Sequence, residues 1–339
     1  MPVSRRDAMR GAAALGALTI FGRIDSVRPA AAQDKPATVR VDYAYYNPSS
    51  LVLRRMGWLE EALQEQGIGV EWVLSAGSNK ANEYLRSEAI DFGSTAGAAA
   101  LLARANGSPI KTVYIYSKPE WTALVVGKDS PIVDVAELQG KKVAATKGTD
   151  PYFFLLRSLE AVGLKGSDVE VINLQHADGR VALERGEVDA WAGLDPHMAG
   201  SELEAGSKLI YRNIDFNTYG FLNAREGFIS QYPDLAAIVI AQYERARQWI
   251  LENPEEAATI LAEEAKISQE VAELELFERT VLDIDTVPGE TQVEVLRAVS
   301  PIMIAENQVK PGTDLEAVLA ELLAPDIAAE VVAAATPTA

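Results

Sequence analysis

One local pattern repeats along this chain and limits what it can fold into. A short apolar run leads into a turn of small and hydroxyl-bearing residues, and a run with helical spacing follows. "TVRVDYAYY" (38–46) alternates Val39, Val41 and Tyr43 with polar neighbours, as a strand does, and "NPSS" (47–50) opens the helical stretch 49–67, which stops at Gly67. "VEWVLSA" (70–76) passes through "AGSN" (76–79) into a helix over 78–88 with Ser78 as its cap. "AIDFGS" passes through "GSTAG" (93–97) into an Ala- and Leu-rich helix. Such alternation predicts an α/β architecture, with parallel strands and helices on both faces.

The pattern then starts again. Strands are expected at 111–118 and 122–128, then "KKVAATKG", "DVEVINLQ" and "VDAWAGLD" alternate with helices. "SKLIYRNI" and "YGFLNARE" read as strands, and from Pro233 onward the chain reads as helical. Two α/β units follow from this, joined by strand-like links near 121–128 and 218–224, with a cleft between them. The predicted division is a first lobe of 33–121 plus 222–339 and a second lobe of 122–221.

Residues 1–32 read as an export signal. Arg5 and Arg6 precede an apolar run from Gly11 to Gly22, and Ala30-Ala31-Ala32 supplies a small-residue cleavage site. Twelve apolar residues fall short of the ~20 that span a bilayer, and the arginine pair points to the twin-arginine route. Removing five arginines and two aspartates takes the formal charge from −18 to −21. So acidic a body repels nucleic acid. The chain has no cysteine, which excludes disulfides, thiol nucleophiles and cysteine metal sites.

"GSTAG" differs by one residue from a G-x-S-x-G nucleophile elbow, with the hydroxyl of Thr95 in the serine's place. An exported hydrolase would need a base for Thr95, and only His176 and His197 exist. With Asp178 and Asp195 they form no recognisable metal-ligand spacing, and both read as surface or capping residues. No phosphate-binding glycine motif is present, and no cofactor is expected.

The same turns also read as an anion cradle. Asn47, Ser49, Ser50, Gly77, Ser78, Ser94 and Thr95, with Lys147, Gly148 and Thr149 of "TKGTDPY" (146–152), sit where strands give way to helices. Helix N-termini offer unpaired N–H groups and partial positive charge, and open α/β sheets bind ligands at the carboxyl ends of their strands. Trp121, Tyr152 and Trp191 are candidates to wall an apolar ligand tail, with Lys147 the cation beside the anion.

At these residues the sequence resembles the periplasmic substrate-binding proteins of ABC importers for aliphatic sulfonates, whose relatives bind nitrate and taurine. The resemblance rests on "SSLVLRRMGWLEE", "IDFGSTAGAAALLARANG", "GKDSPIVDVAELQGKKVAATKGT", "GEVDAWAGLDP" and "ENPEEAATILAEE". It implies a type II periplasmic-binding-protein fold with two lobes, a two-strand hinge and a ligand cleft. It further implies a monomeric, non-enzymatic periplasmic receptor that hands a small organic anion to a membrane permease. By that similarity Ser49, Ser50, Gly77, Ser78, Ser94 and Thr95 belong to the first lobe's side of the site. Lys147, Gly148, Thr149, Asp178, Trp191 and Asp195 belong to the second lobe's side. Two departures stand out. The small residues after Thr95 suggest a roomier first-lobe pocket. "SKPEW" puts Glu120 and Trp121 near the entrance, where a carboxylate suits a ligand with an amine, such as taurine; an aromatic or heterocyclic ligand is the other expectation. Enzymes of this fold, thiamine-pyrimidine synthases and aromatic desulfinases, rely by resemblance on cysteine, which is absent here.

Overall fold

A computed structural model describes residues 35–335; the expected export signal lies outside them. The first alternation gives β1 (Thr38–Tyr43), α1 (Pro48–Met56), α2 (Trp58–Gln64), β2 (Gly69–Leu74), α3 (Ser78–Arg86), β3 (Phe92–Ala96), α4 (Gly97–Ala105) and β4 (Ile110–Pro119). The second gives β5 (Ala123–Val126), β6 (Lys142–Ala145), α5 (Asp150–Ala161), β7 (Glu170–Asn173), α6 (His176–Glu184), β8 (Ala190–Ala192), α7 (His197–Ala205) and β9 (Lys208–Arg212). The chain returns through β10 (Gly220–Arg225). The helices α8 (Glu226–Gln231), α9 (Pro233–Glu252), α10 (Pro254–Ala265) and α11 (Gln269–Glu273) follow. The short β11 (Thr280–Val281) comes next, and the last described helices are α12 (Glu290–Ala305), α13 (Leu315–Leu322) and α14 (Asp326–Ala335).

The strands form two sheets, ordered β11-β4-β10-β3-β1-β2 and β7-β6-β8-β5-β9. Each contains the expected parallel triplet: β1 between β2 and β3, and β6 between β7 and β8. The sheets are nonetheless mixed. The returning β10 lies antiparallel to β3 and β4, and β5 lies antiparallel to β8 and β9. Each sheet thus receives one strand from a chain that has just crossed from the other, and that strand enters head-on. The crossings are the short segments 120–122 and 213–219.

Packing reflects the two sheets. One core lies between the first sheet and α1, α2, α9 and α10, with Leu51, Phe92, Tyr243 and Leu261 in it. A second runs from Phe221 and Leu101 through Leu296 and Met303 to Phe153 and Val143, so that α12 packs on both α4 and α5. A small third core holds Trp191, Met198 and Leu183 behind the second sheet.

The helix expected over 49–67 is two helices broken at Gly57, whose φ of 67° is the left-handed conformation that caps α1. Space is open around that position, so Gly57→Ala isolates backbone strain. It is expected to lower unfolding free energy by about 1 kcal/mol in a urea titration.

Candidate functional site

β3 carries "FGSTA" within the strand, so Ser94 and Thr95 precede the turn that the sequence assigned them to. Both are fully buried and their hydroxyls are engaged inside the first lobe. Ser94 Oγ donates to Asp42 Oδ1 at 2.8 Å and accepts from Asn47 Nδ2 at 2.7 Å. Thr95 Oγ1 donates to the Ala96 carbonyl at 2.9 Å and accepts from Asn223 Nδ2 at 2.7 Å. No histidine is among Thr95's hydrogen-bond partners, which removes the arrangement a nucleophile elbow needs.

The N-terminus of α4 does not present itself as a cradle either. Ala98 N donates to Thr218 Oγ1 at 2.8 Å, and Gly97 N to the Thr218 carbonyl at 3.0 Å, so the second crossing caps this helix. The small residues here serve close packing, where a roomier pocket was expected. A Cβ on Gly97 would lie 2.9 Å from Phe221 and 3.1 Å from Leu296. At the start of α5 stands a carboxylate, Asp150, which accepts from Trp121 Nε1 (3.0 Å), Thr218 N (2.7 Å) and Thr218 Oγ1 (2.5 Å). Burial pushes Asp150 up to about 6, with the Thr218 hydrogen bonds opposing.

The other expected residues fall into two groups. Trp121 and Trp191 are interior. Trp121 packs edge-on against Tyr46 with ring centroids 5.8 Å apart, and Trp191 belongs to the third core. Glu120, expected as a cleft carboxylate, forms a two-pronged pair with Arg212 at 3.0 and 2.6 Å, so its charge is matched. Asp195 is buried against Arg279 at 3.2 Å. Thr149 Oγ1 donates to the Thr146 carbonyl, and Ser50 Oγ to that of Asn47. Lys147 is exposed, with its ammonium 5.8 Å from the Tyr152 ring, and Asp178 is exposed in the first turn of α6.

The second group meets across the seam between the sheets. Asn47 opens α1, accepting from Ser50 N, and Ser49 beside it is buried with no hydrogen-bond partner for its hydroxyl. Ser78 Oγ, expected as a cap for its own helix, instead accepts from Ala96 N at 2.9 Å. Gly77 precedes it and lies against His176 of α6: a Cβ on Gly77 would be 2.9 Å from His176 Nε2 and 2.8 Å from Asn79 Oδ1. Gly148 approaches α3, its would-be Cβ 4.0 Å from that of Asn79. The N-termini of α3 and α6 thus face each other with the Lys147–Thr149 turn beside them. His176, read from sequence as a surface or capping residue, is 1% exposed, and His197 is half-buried. Burial lowers His176 to about 3 and His197 to about 4, so both rings are neutral.

Beneath this seam, at the carboxyl end of β1, lies a group the sequence did not single out. Asp42 is fully buried and accepts from Ser94 N and Ser94 Oγ, both at 2.8 Å. Burial pushes its carboxyl up to about 6. Tyr46, Tyr116 and Tyr243 surround it, and their phenols are driven up first by burial and then by neighbouring charge, Asp42 included. Among the described residues no cluster of three or more His, Asp or Glu is suited to a metal ion.

Residues 57–257 match the family described as NMT1/THI5 like. The chain belongs to this family. The chain is similar to a putative aliphatic sulfonates-binding protein of Escherichia coli K12, at 29% identity over 283 residues, 83% of this chain and 88% of that one. It is also similar to a protein of the same description from Bacillus subtilis 168, at 29% identity over 226 residues, 66% and 68% of the two chains. Among solved structures, the fold matches the alkanesulfonate-binding protein SsuA from Xanthomonas axonopodis pv. citri bound to MOPS. The TM-score is 0.77 at 23% identity, covering 86% of this chain and 99% of that one. The fold also extends to the nitrate-binding protein NrtA from Synechocystis PCC 6803 (TM-score 0.72, 15% identity, 88% and 89% covered). It is found again in the desulfurization enzyme DSZB (TM-score 0.66, 14% identity, 89% and 100% covered). These structural likenesses carry the two-lobed periplasmic-binding-protein architecture.

Proposed function

We propose that this chain is an extracytoplasmic solute receptor. It captures a small sulfonate-like organic anion between its lobes and passes it unchanged to the permease of an ABC importer. The observation that carries the reading is a set of buried polar atoms without protein partners at the carboxyl ends of the strands: Ser49 Oγ and Asn79 Oδ1 on one side, His176 Nε2 on the other. Native interiors rarely leave such atoms unmade, and a ligand with several polar atoms satisfies them at once. The names of the relatives in Escherichia coli and Bacillus subtilis support the choice of a sulfonate. In this reading the N-termini of α1, α3 and α6 and the Lys147–Thr149 turn hold the ligand, with Ser49, Gly77 and Ser78 on the first lobe. Lobe one comprises 33–121 with 222–339 and lobe two 122–221, and the segments near 120 and 217 act as the hinge.

Transport without chemistry fits the residues present. The chain has no cysteine, and the hydroxyl of Thr95 is held by Asn223 and a carbonyl. The receptor is taken to be a periplasmic monomer whose leader, 1–32, is removed near Ala32. Three or four charge-assisted hydrogen bonds at about 1.5–3 kcal/mol each support micromolar affinity once association is subtracted. Calorimetric titration with alkanesulfonates, taurine, sulfate esters and nitrate is expected to give micromolar binding to at least one sulfonate. Absence of heat and of any thermal shift with all of them would sink the proposal.

A further inference from the structure

The ring of His176 is held in one tautomer by its neighbour. Thr146 Oγ1 donates its single proton to the Leu174 carbonyl at 2.7 Å. The same oxygen stands 3.1 Å from His176 Nδ1. With its proton already committed, the hydroxyl can only accept there, so Nδ1 carries the ring proton. A neutral imidazole has one N–H, and Nε2 therefore presents a lone pair. That atom is buried and has no protein partner. It faces the Gly77 backbone of the opposite lobe, where Asn79 Oδ1 is a second buried acceptor without a partner. Two acceptors thus flank one point of the seam. Protonating the ring to create a second donor is opposed by its burial, which holds the histidine at about 3, and by the neighbouring His197.

An anion cannot satisfy this point, because an oxyanion oxygen against a lone pair is repelled. A hydrogen-bond donor can. We propose that His176 Nε2 is a specificity-determining acceptor that selects, among small sulfonates, those whose body carries an N–H or O–H group. The inference rests on the sulfonate reading above and narrows it. The anionic end lies at the N-terminus of α1, beside the unpartnered Ser49 hydroxyl, and the donor end meets Nε2 beside Gly77, where α3 and α6 begin. Sites built to bond a ligand hydroxyl or amine discriminate strongly against analogues lacking it, because their own buried polar groups are then left unpaired.

The test uses the whole protein and three probes of similar length: ethanesulfonate, 2-hydroxyethanesulfonate and taurine. At least one of the two donor-bearing sulfonates is expected to bind about tenfold more tightly than ethanesulfonate by calorimetry. In His176→Phe the difference is expected to fall to about twofold or less. Nitrogen-15 correlation spectra of the histidine rings, which do not depend on the variant folding, are expected to show proton on Nδ1 and none on Nε2, free and bound. Equal affinity for all three sulfonates, or an Nε2–H tautomer in the complex, overturns the selectivity proposal and leaves sulfonate binding intact. If none of the three binds, the receptor reading fails and takes this one with it.

Discussion

Arg279→Met is expected to lower the unfolding free energy by about 3–5 kcal/mol near neutral pH, the usual consequence of removing one member of a buried ion cluster. Arg279 is 2% exposed and stands between three carboxylates. Its Nη1 bonds Asp195, which follows β8 of the second sheet, and its Nη2 bonds Glu202 on α7. Glu275, buried just before β11, feels the same guanidinium and is held well above the usual carboxylate range, by burial first and by Asp195 second. The Arg279 carbonyl also accepts from Glu120 N at 2.7 Å, which fixes the first crossing. Asp195 N in turn donates to the Trp121 carbonyl at 3.0 Å. One side chain therefore ties elements of both sheets around the segment that joins them.

The pH dependence separates charge from packing in that variant. Asp195 is pushed up to about 6 by burial, with Arg279 opposing. A carboxyl raised in the folded state costs nothing when protonated below its unfolded value and costs most once it ionises above its folded value. Without Arg279 the opposing influence is gone, so the deficit relative to wild type grows as pH rises through 6 and narrows toward pH 5. Urea unfolding at pH 5 and 7.5 measures this. A deficit identical at both values would mean that lost packing, and not the unpaired carboxylates, is responsible.

The same residues show what the amino-acid sequence conveys and what it hides. Alternation of apolar runs and hydroxyl turns announced both parallel triplets, because strand and helix periods are local properties. It did not announce that β5 and β10 run antiparallel, since direction within a sheet is set by where the chain crosses, not by the strand's own residues. Ser94 and Thr95 carry the composition of a ligand turn but lie one step early, inside β3, where Asp42, Asn47 and Asn223 use their hydroxyls. These partners come from 47 residues or more away in the chain. Asp42 was hidden for a similar reason. In "VRVDY" it occupies the polar beat of an alternating strand, which reads as the solvent face. Thr38 and Arg40 on that beat do stay half-buried, but at the carboxyl end of β1 the chain closes over it and Asp42 is fully buried. His176 looked like a loop-edge residue because nothing local tells that Gly77 of the opposite sheet closes over it.

Asp42→Asn is expected to stabilise the protein at pH 8 by up to about 3 kcal/mol, and the gain is expected to vanish by pH 4. The carboxyl is raised from 3.8 to about 6, chiefly by burial, with bonds from Ser94 opposing; a shift of about two units corresponds to about 3 kcal/mol. The sign follows from proton binding. Between pH 4 and 6 the folded state holds a proton that the unfolded state has released, so stability falls as pH rises through that window and stays lower above it. Asparagine keeps an acceptor for Ser94 N and Oγ and removes the charge, so it escapes the loss. Urea unfolding of both proteins at pH 4, 6 and 8 reads the difference directly, and a variant less stable than wild type at pH 8 would contradict the argument. A buried charge that weakens the fold is the kind of group retained at functional sites. Because the Ser94 contacts persist in the variant, any accompanying change in sulfonate affinity reports the charge beneath the seam and not a rearranged turn.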